Sequence, residues 1–292
     1  MRVIITVARS ILVMASFLLA GCATTPMQGG GAGGYSKTHE ILAGTAHFRV
    51  HFGPADEDIV EPVLDALLTA APRVAVWGAF ERPIEIRIYP THEELEIAVG
   101  RRNYPWLRAW ARYDEILLRS PRTFDLFERG SANLIELFTH ELTHCLMYQR
   151  SAPKELWQAV DRTIPIWFRE GMASYTARQG HRRLSEARLA EWRERTSRDP
   201  LGEAKALYQG DPSIAYAAAH WAFAFLVERY GAQRIRDLMD TMREGRSFGE
   251  AFTLIIGMEP KVFEQEYLRY LDWGGWIERN RPEAKDVLVM LR

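Results

Sequence analysis

Cysteine is nearly missing from this chain: 292 residues hold two, Cys22 and Cys145. Two thiols cannot staple a fold of this length, so its core must come from packing. An excess of charge of either sign is missing too, since 37 basic and 38 acidic residues leave a formal net charge of -1. That balance excludes a basic nucleic-acid surface and a polyanion partner. The apolar run Ile11 to Ala20 is too short to cross a bilayer about 30 Å thick. No internal repeat is evident. About 270 residues remain after this N-terminal segment, enough for one large domain or two small ones.

What is present begins with an export signal. Arg2 and Arg9 precede the apolar stretch, which runs out in Leu19-Ala20-Gly21-Cys22. These four residues resemble the lipobox of bacterial lipoproteins. The resemblance implies that residues 1–21 are a signal peptide, that Cys22 is lipidated, and that the chain is anchored in the bacterial envelope. Ala23, standing where an aspartate would mean inner-membrane retention, favours the outer membrane. Glycine-rich Gln28 to Gly34 makes 22–36 a flexible tether. With Cys22 acylated, Cys145 has no partner, and helix geometry turns it toward a core.

Residues 37–150 read as a mixed sheet followed by a helix, and 151–292 as a helical subdomain. Phe48, Val50 and Phe52 alternate with polar neighbours, as do Ile84, Ile86 and Ile88, which predicts two half-buried strands. A helix is expected from Glu57 to Val76. Ala109 to Leu118 reads as a hairpin, either bordering a cleft or inside the sheet. Arg101, Arg102, Tyr104, Trp106, Arg108 and Trp110 read as loop and sheet-packing residues. Arg182 to Arg198 reads as a solvated charged segment. Asp211 and Pro212 open a long apolar helix that Gly231 ends, and Ser247 with Glu250 has capping-box spacing.

The chemistry concentrates in His140-Glu141-Leu142-Thr143-His144. On a helix, residues four apart share a face, so both imidazoles can reach one ion while Glu141 stands beside it. Leu134, Phe138, Leu142 and Cys145 form a separate apolar face, and Ser131 is a candidate N-cap. A tetrahedral catalytic zinc needs a third protein ligand and an open position. Glu170 is the candidate, in Trp167-Phe168-Arg169-Glu170-Gly171-Met172-Ala173-Ser174-Tyr175. Thr163 and Pro165 would start that helix and Gly180 end it. Gly171 in its middle suggests close approach to the first helix. Ser174 reads either as a hydrogen-bonding partner behind the metal or as an exposed serine.

These two segments resemble the gluzincin-type zinc metallopeptidases, and within them the peptidase MA-like proteins of bacterial envelopes. The resemblance implies an α+β, thermolysin-like catalytic domain, with an N-terminal mixed sheet followed by a mostly helical C-terminal half. It implies one zinc ion per chain on His140, His144 and Glu170, with Glu141 as general base. Ser174 departs from thermolysin, which has an aspartate there. Tyr216 in the long helix is either a core residue or, as in those relatives, the donor to the developing oxyanion; His220 carries the same two readings. The expected activity is hydrolysis of peptides or proteins by a membrane-anchored monomer. The alternatives are a non-catalytic zinc-containing envelope binding or assembly lipoprotein and a purely structural zinc site.

Overall fold

Two-residue alternation builds the first half of the protein. The computed structural model describes residue 35 and residues 37–125 and 130–279. The signal segment and Cys22 lie outside the described residues. Strands β1 (Lys37–Ala43) and β2 (Ala46–Phe52) form an antiparallel pair. Strand β3 (Ile84–Tyr89) lies parallel to β2, and the short β4 (Ala109–Ala111) turns back antiparallel into β5 (Glu115–Arg119), itself parallel to β3. The sheet order is β1-β2-β3-β5-β4, which leaves β4 at an edge. β1 escapes the sequence pattern because most of its side chains are exposed on both faces, and pairing with β2 alone defines it.

One face of the sheet carries Phe48, Val50, Ile84, Ile86, Ile88, Ile116 and Leu118, all buried. Burying each such side chain stabilises the fold by about 1.5–3 kcal/mol. Helices α1 (Val60–Val74) and α3 (Ser131–Ser151) cover this face, and α2 (His92–Val99) lies on the other, where Leu95 meets Leu107 and Leu117. The helix expected from Glu57 begins later. Residues Pro54–Ile59 make a separate tight turn, pinned where the Ser120 hydroxyl donates to buried Asp56 at 2.5 Å.

The second half is mostly helical: α4 (Trp157–Asp161), α5 (Ile166–Thr176), α6 (Glu186–Thr196), α7 (Ala204–Gly210), α8 (Pro212–Arg243), α9 (Phe248–Ile256) and α10 (Pro260–Arg279). Gly231, at φ 79°, kinks α8 where the sequence predicts its end. Ser247 and Glu250 form the reciprocal capping box at α9. The charged segment from Arg182 is not simply solvated, because Leu189 and Ala190 are buried and Arg193 pairs with Asp272 of α10 at 2.9 Å. Among the described residues, no helix is long and apolar enough to cross a membrane.

Helix α5 departs from its expected ends. Thr163 donates to the Val160 carbonyl and so is spent on the preceding turn, leaving Pro165 as N-cap. Arg178, in the left-handed region at φ 56°, ends the helix before Gly180, and Gln179–Arg182 follow as one tight turn. Gly171 faces α8 rather than α3. A Cβ there would overlap the Ala219 carbonyl oxygen and sit 2.6 Å from Phe223 Cβ.

Candidate metal centre

Helix α3 starts at Ser131 with Gly130 as its cap, and its apolar series Leu134, Phe138, Leu142 and Cys145 is buried. Seating that face fixes the rotation of the helix, which turns His140 and His144 toward α5. Their Nε2 atoms lie 3.2 Å apart. Glu170 Oε2 lies 3.6 Å from His140 Nε2 and 3.7 Å from His144 Nε2. Ligands of a tetrahedral zinc, bonded at about 2.0–2.1 Å, stand about 3.3–3.4 Å from one another. Two imidazole nitrogens and a carboxylate oxygen therefore converge at the spacing that such an ion requires. Among the described residues this is the cluster of metal-ligating groups that could hold one, with all candidate atoms within 4.8 Å of one another.

The two glutamates differ in charge behaviour. Burial opposes ionisation of Glu170, but His144, His140 and Arg169 outweigh it and hold its carboxyl well below the usual range. Burial pushes Glu141 up to about 7; Glu170 adds to this, while His140 and the Ala111 backbone oppose it. One carboxylate is thus a permanent anion, and its neighbour can bind and release a proton near neutrality. Arg169 anchors the arrangement, donating to both oxygens of Asp161 at 2.9 and 3.0 Å and reaching Glu170 Oε1 at 3.4 Å. Sequence reasoning passed over Arg169, although it adjoins Glu170.

The cluster opens on a cleft of about 340 Å³, lined on one side by Ala109, Trp110 and Ala111 of β4 and on the other by Tyr208 and Tyr216. Arg112 N–H donates to Glu115 and Arg119 N–H to Arg108, so residues 108 and 112 turn their main chain toward β5. By alternation Ala109 and Ala111 point theirs to the open edge. Tyr104 and Trp110 pack against the Leu95, Leu107 and Leu117 cluster as expected, and together with Arg101 and Trp106 they also line the wall of this cleft.

Tyr216 lines the cleft, with its hydroxyl 2.9 Å from that of Tyr208. Burial pushes its phenol well above the ordinary range, with Glu170 and Tyr208 adding and Arg183 opposing, so it keeps its proton. His220 does not line the cleft. It is buried behind it, 3.0 Å from Ser174 Oγ, and burial together with Arg183 lowers it to about 4. Ser174 is likewise buried and touches His220 rather than His140 or His144. Gly180 packs on the His220 ring, where a Cβ would stand 2.8 Å from Nε2. Behind the cluster, His140 Nδ1 meets Gln179 Oε1 at 3.2 Å, whereas buried His144 Nδ1 has no hydrogen-bond partner among the described residues. Cys145 is a buried thiol that burial pushes well up, placed near the Glu115 carbonyl.

No protein-family model matches this sequence, and no curated protein matches it. Among solved structures the chain is similar to an M1 zinc metallopeptidase from Deinococcus radiodurans, at 13% identity and a TM-score of 0.39. The match covers 81% of this chain and 50% of that one, so the chain spans half the length of that enzyme.

Proposed function

We propose that this chain is a zinc metallopeptidase of gluzincin-like fold, exported and held at the bacterial envelope by a lipid on Cys22. The observation that carries the reading is the convergence of His140, His144 and Glu170 at ligand spacing, with Glu141 beside them and an open strand edge across the cleft. The donor set of two imidazoles and one carboxylate suits zinc and leaves a fourth position open. When bound there, zinc supplies Lewis acidity, making water a better nucleophile and polarising a carbonyl oxygen.

The chain's own groups do the rest. The main chain of Ala109 and Ala111 pairs with an extended peptide, which gives affinity without strong demands on side chains. Glu141 takes the proton of the attacking water and returns it to the leaving nitrogen, a task matched by a carboxyl near 7. Tyr216, protonated, donates to the oxygen on which charge develops.

The test combines metal analysis with cleavage of a peptide library by the full chain. Zinc bound near one per chain, with hydrolysis that chelation abolishes, is the expected result. In Glu141→Gln the zinc should stay while kcat/KM falls by a factor of about 100 to 10,000, since the amide cannot accept a proton. Retained turnover removes Glu141 as the base. Peptide affinity without turnover in the wild-type chain makes it a binding protein instead.

The anchor has its own check. Full chain made in a bacterium and labelled with palmitate should carry the label at Cys22 and partition with membranes. Cys22→Ser should lose both properties; a labelled Cys22→Ser protein would place the lipid elsewhere.

A further inference from the structure

An imidazole offers a lone pair at Nε2 only when its proton sits on Nδ1, and the group facing Nδ1 decides that. For His140 that group is the side chain of Gln179, 3.2 Å away. An amide can present either its oxygen or its NH₂. Arg183 settles which: its terminal nitrogen lies 2.8 Å from the same Gln179 atom, and a guanidinium only donates. The shared atom is therefore oxygen. It has no proton to give, so His140 Nδ1 must donate to it, which in the neutral ring leaves Nε2 bare and aimed at His144 and Glu170.

Arg183 does more than fix an amide. Its Nε donates to Ser174 Oγ at 3.3 Å, and its guanidinium lies over the Tyr216 ring with Cζ 4.8 Å from the centroid. It forms no ion pair among the described residues, although it is partly buried. Sheltering a cation without a carboxylate partner is costly, and packing alone does not require it. Burial lowers the Arg183 pKa, while Tyr216 and Glu170 act to raise it.

We infer that Gln179 and Arg183 are a positioning pair. Gln179 holds His140 in the tautomer that binds metal through Nε2, and Arg183 locks both Gln179 and the Tyr216 ring. Together they stand where a carboxylate would otherwise orient a zinc-bound histidine. The inference rests on the metallopeptidase reading for the identity of the metal. The tautomer itself does not depend on it. The acceptor facing His140 Nδ1 is thus a neutral oxygen backed by a cation rather than a carboxylate. Among the described residues no hydrogen-bond partner meets His144 Nδ1, and that ring is held by stacking on Tyr148.

The deciding experiment is side-chain ¹⁵N NMR of the metal-free full chain, together with zinc affinity by chelator competition. Where its ring is neutral, His140 should show a protonated Nδ1 and a bare Nε2. In Gln179→Leu that preference should be lost and the zinc dissociation constant should rise about ten- to a hundredfold. Gln179→Glu restores an acceptor and should return the affinity to wild-type level or better. Arg183→Met should weaken zinc binding and lower kcat more than it changes KM, since Tyr216 loses its hold. A neutral wild-type His140 with its proton on Nε2 and a bare Nδ1 overturns the inference, whatever the variants do. So does a Gln179→Leu chain that binds zinc like wild type. If Gln179→Leu does not fold, the wild-type tautomer and Gln179→Glu still decide. Zinc bound normally with no hydrolysis defeats the metallopeptidase reading and leaves this inference standing.

Discussion

Glu170→Ala should bind zinc at least about a hundredfold more weakly than wild type, and hydrolysis should disappear with the metal. Complete structural zinc sites bind with about 10–16 kcal/mol, so one ligand's share is about 3 kcal/mol or more. The loss should be specific to the metal. Arg169 keeps both its bonds to Asp161, so removing Glu170 does not strand its guanidinium. The metal-free fold should therefore survive, and circular dichroism with a thermal melt in chelator checks that. Glu170→Gln keeps the shape but donates no anion, and should fall between the two. Competition with a coloured chelator reads all three. Wild-type zinc affinity in Glu170→Ala would mean that the third ligand lies elsewhere, and the site as described would fall.

The second large effect is at the neighbouring residue, where local and tertiary rules disagree in sign. Alanine is favoured over glycine in a helix by about 1 kcal/mol, so Gly171→Ala should stabilise α5 if the helix were alone. In the fold, the added methyl overlaps the Ala219 carbonyl and crowds Phe223 Cβ, both fixed on α8. Overpacking of this kind costs about 1–3 kcal/mol and more when backbone must move, so the net effect is destabilising. A domain of this size loses about 2–4 °C of melting temperature per kcal/mol, so a drop of several degrees is expected. Moving α5 away from α8 also shifts Glu170, so zinc affinity should fall in parallel. Gly249 is the control. It lies in α9, where an added Cβ would meet nothing within 4 Å, and its alanine variant should melt at or slightly above wild type. A Gly171→Ala protein that melts higher than wild type would show that helix propensity wins and that the α5–α8 contact is loose.

Several parts of this protein were legible because their causes are local. Spacing of four residues places His140 and His144 on one side of α3 by helix geometry alone. Alternation at Phe48, Val50 and Phe52 predicts β2 because a strand repeats every two residues. The Ser247–Glu250 box and the break at Gly231 follow from the backbone's own hydrogen bonds and allowed angles. A catalytic pattern with a third ligand at Glu170 could be expected from residue types and resemblance, and the α+β order of elements likewise.

What only the tertiary structure decided is which side chains meet across elements. Spacing along the chain does not say that Glu170 stands 3.6 Å from His140, that β4 is an edge, or that Gly171 packs on α8. It assigned Ser174 as a candidate partner of the zinc histidines, whereas the turn after Arg178 brings Gln179 to His140 and leaves Ser174 with His220. Arg183, read as part of a solvated charged run, is drawn over the Tyr216 ring. The physical reason is common to all of these. A helix or strand is set by neighbours within about four residues, but the angle and distance between two elements are set by how whole buried faces interlock, and polar partners are chosen only after that packing is complete.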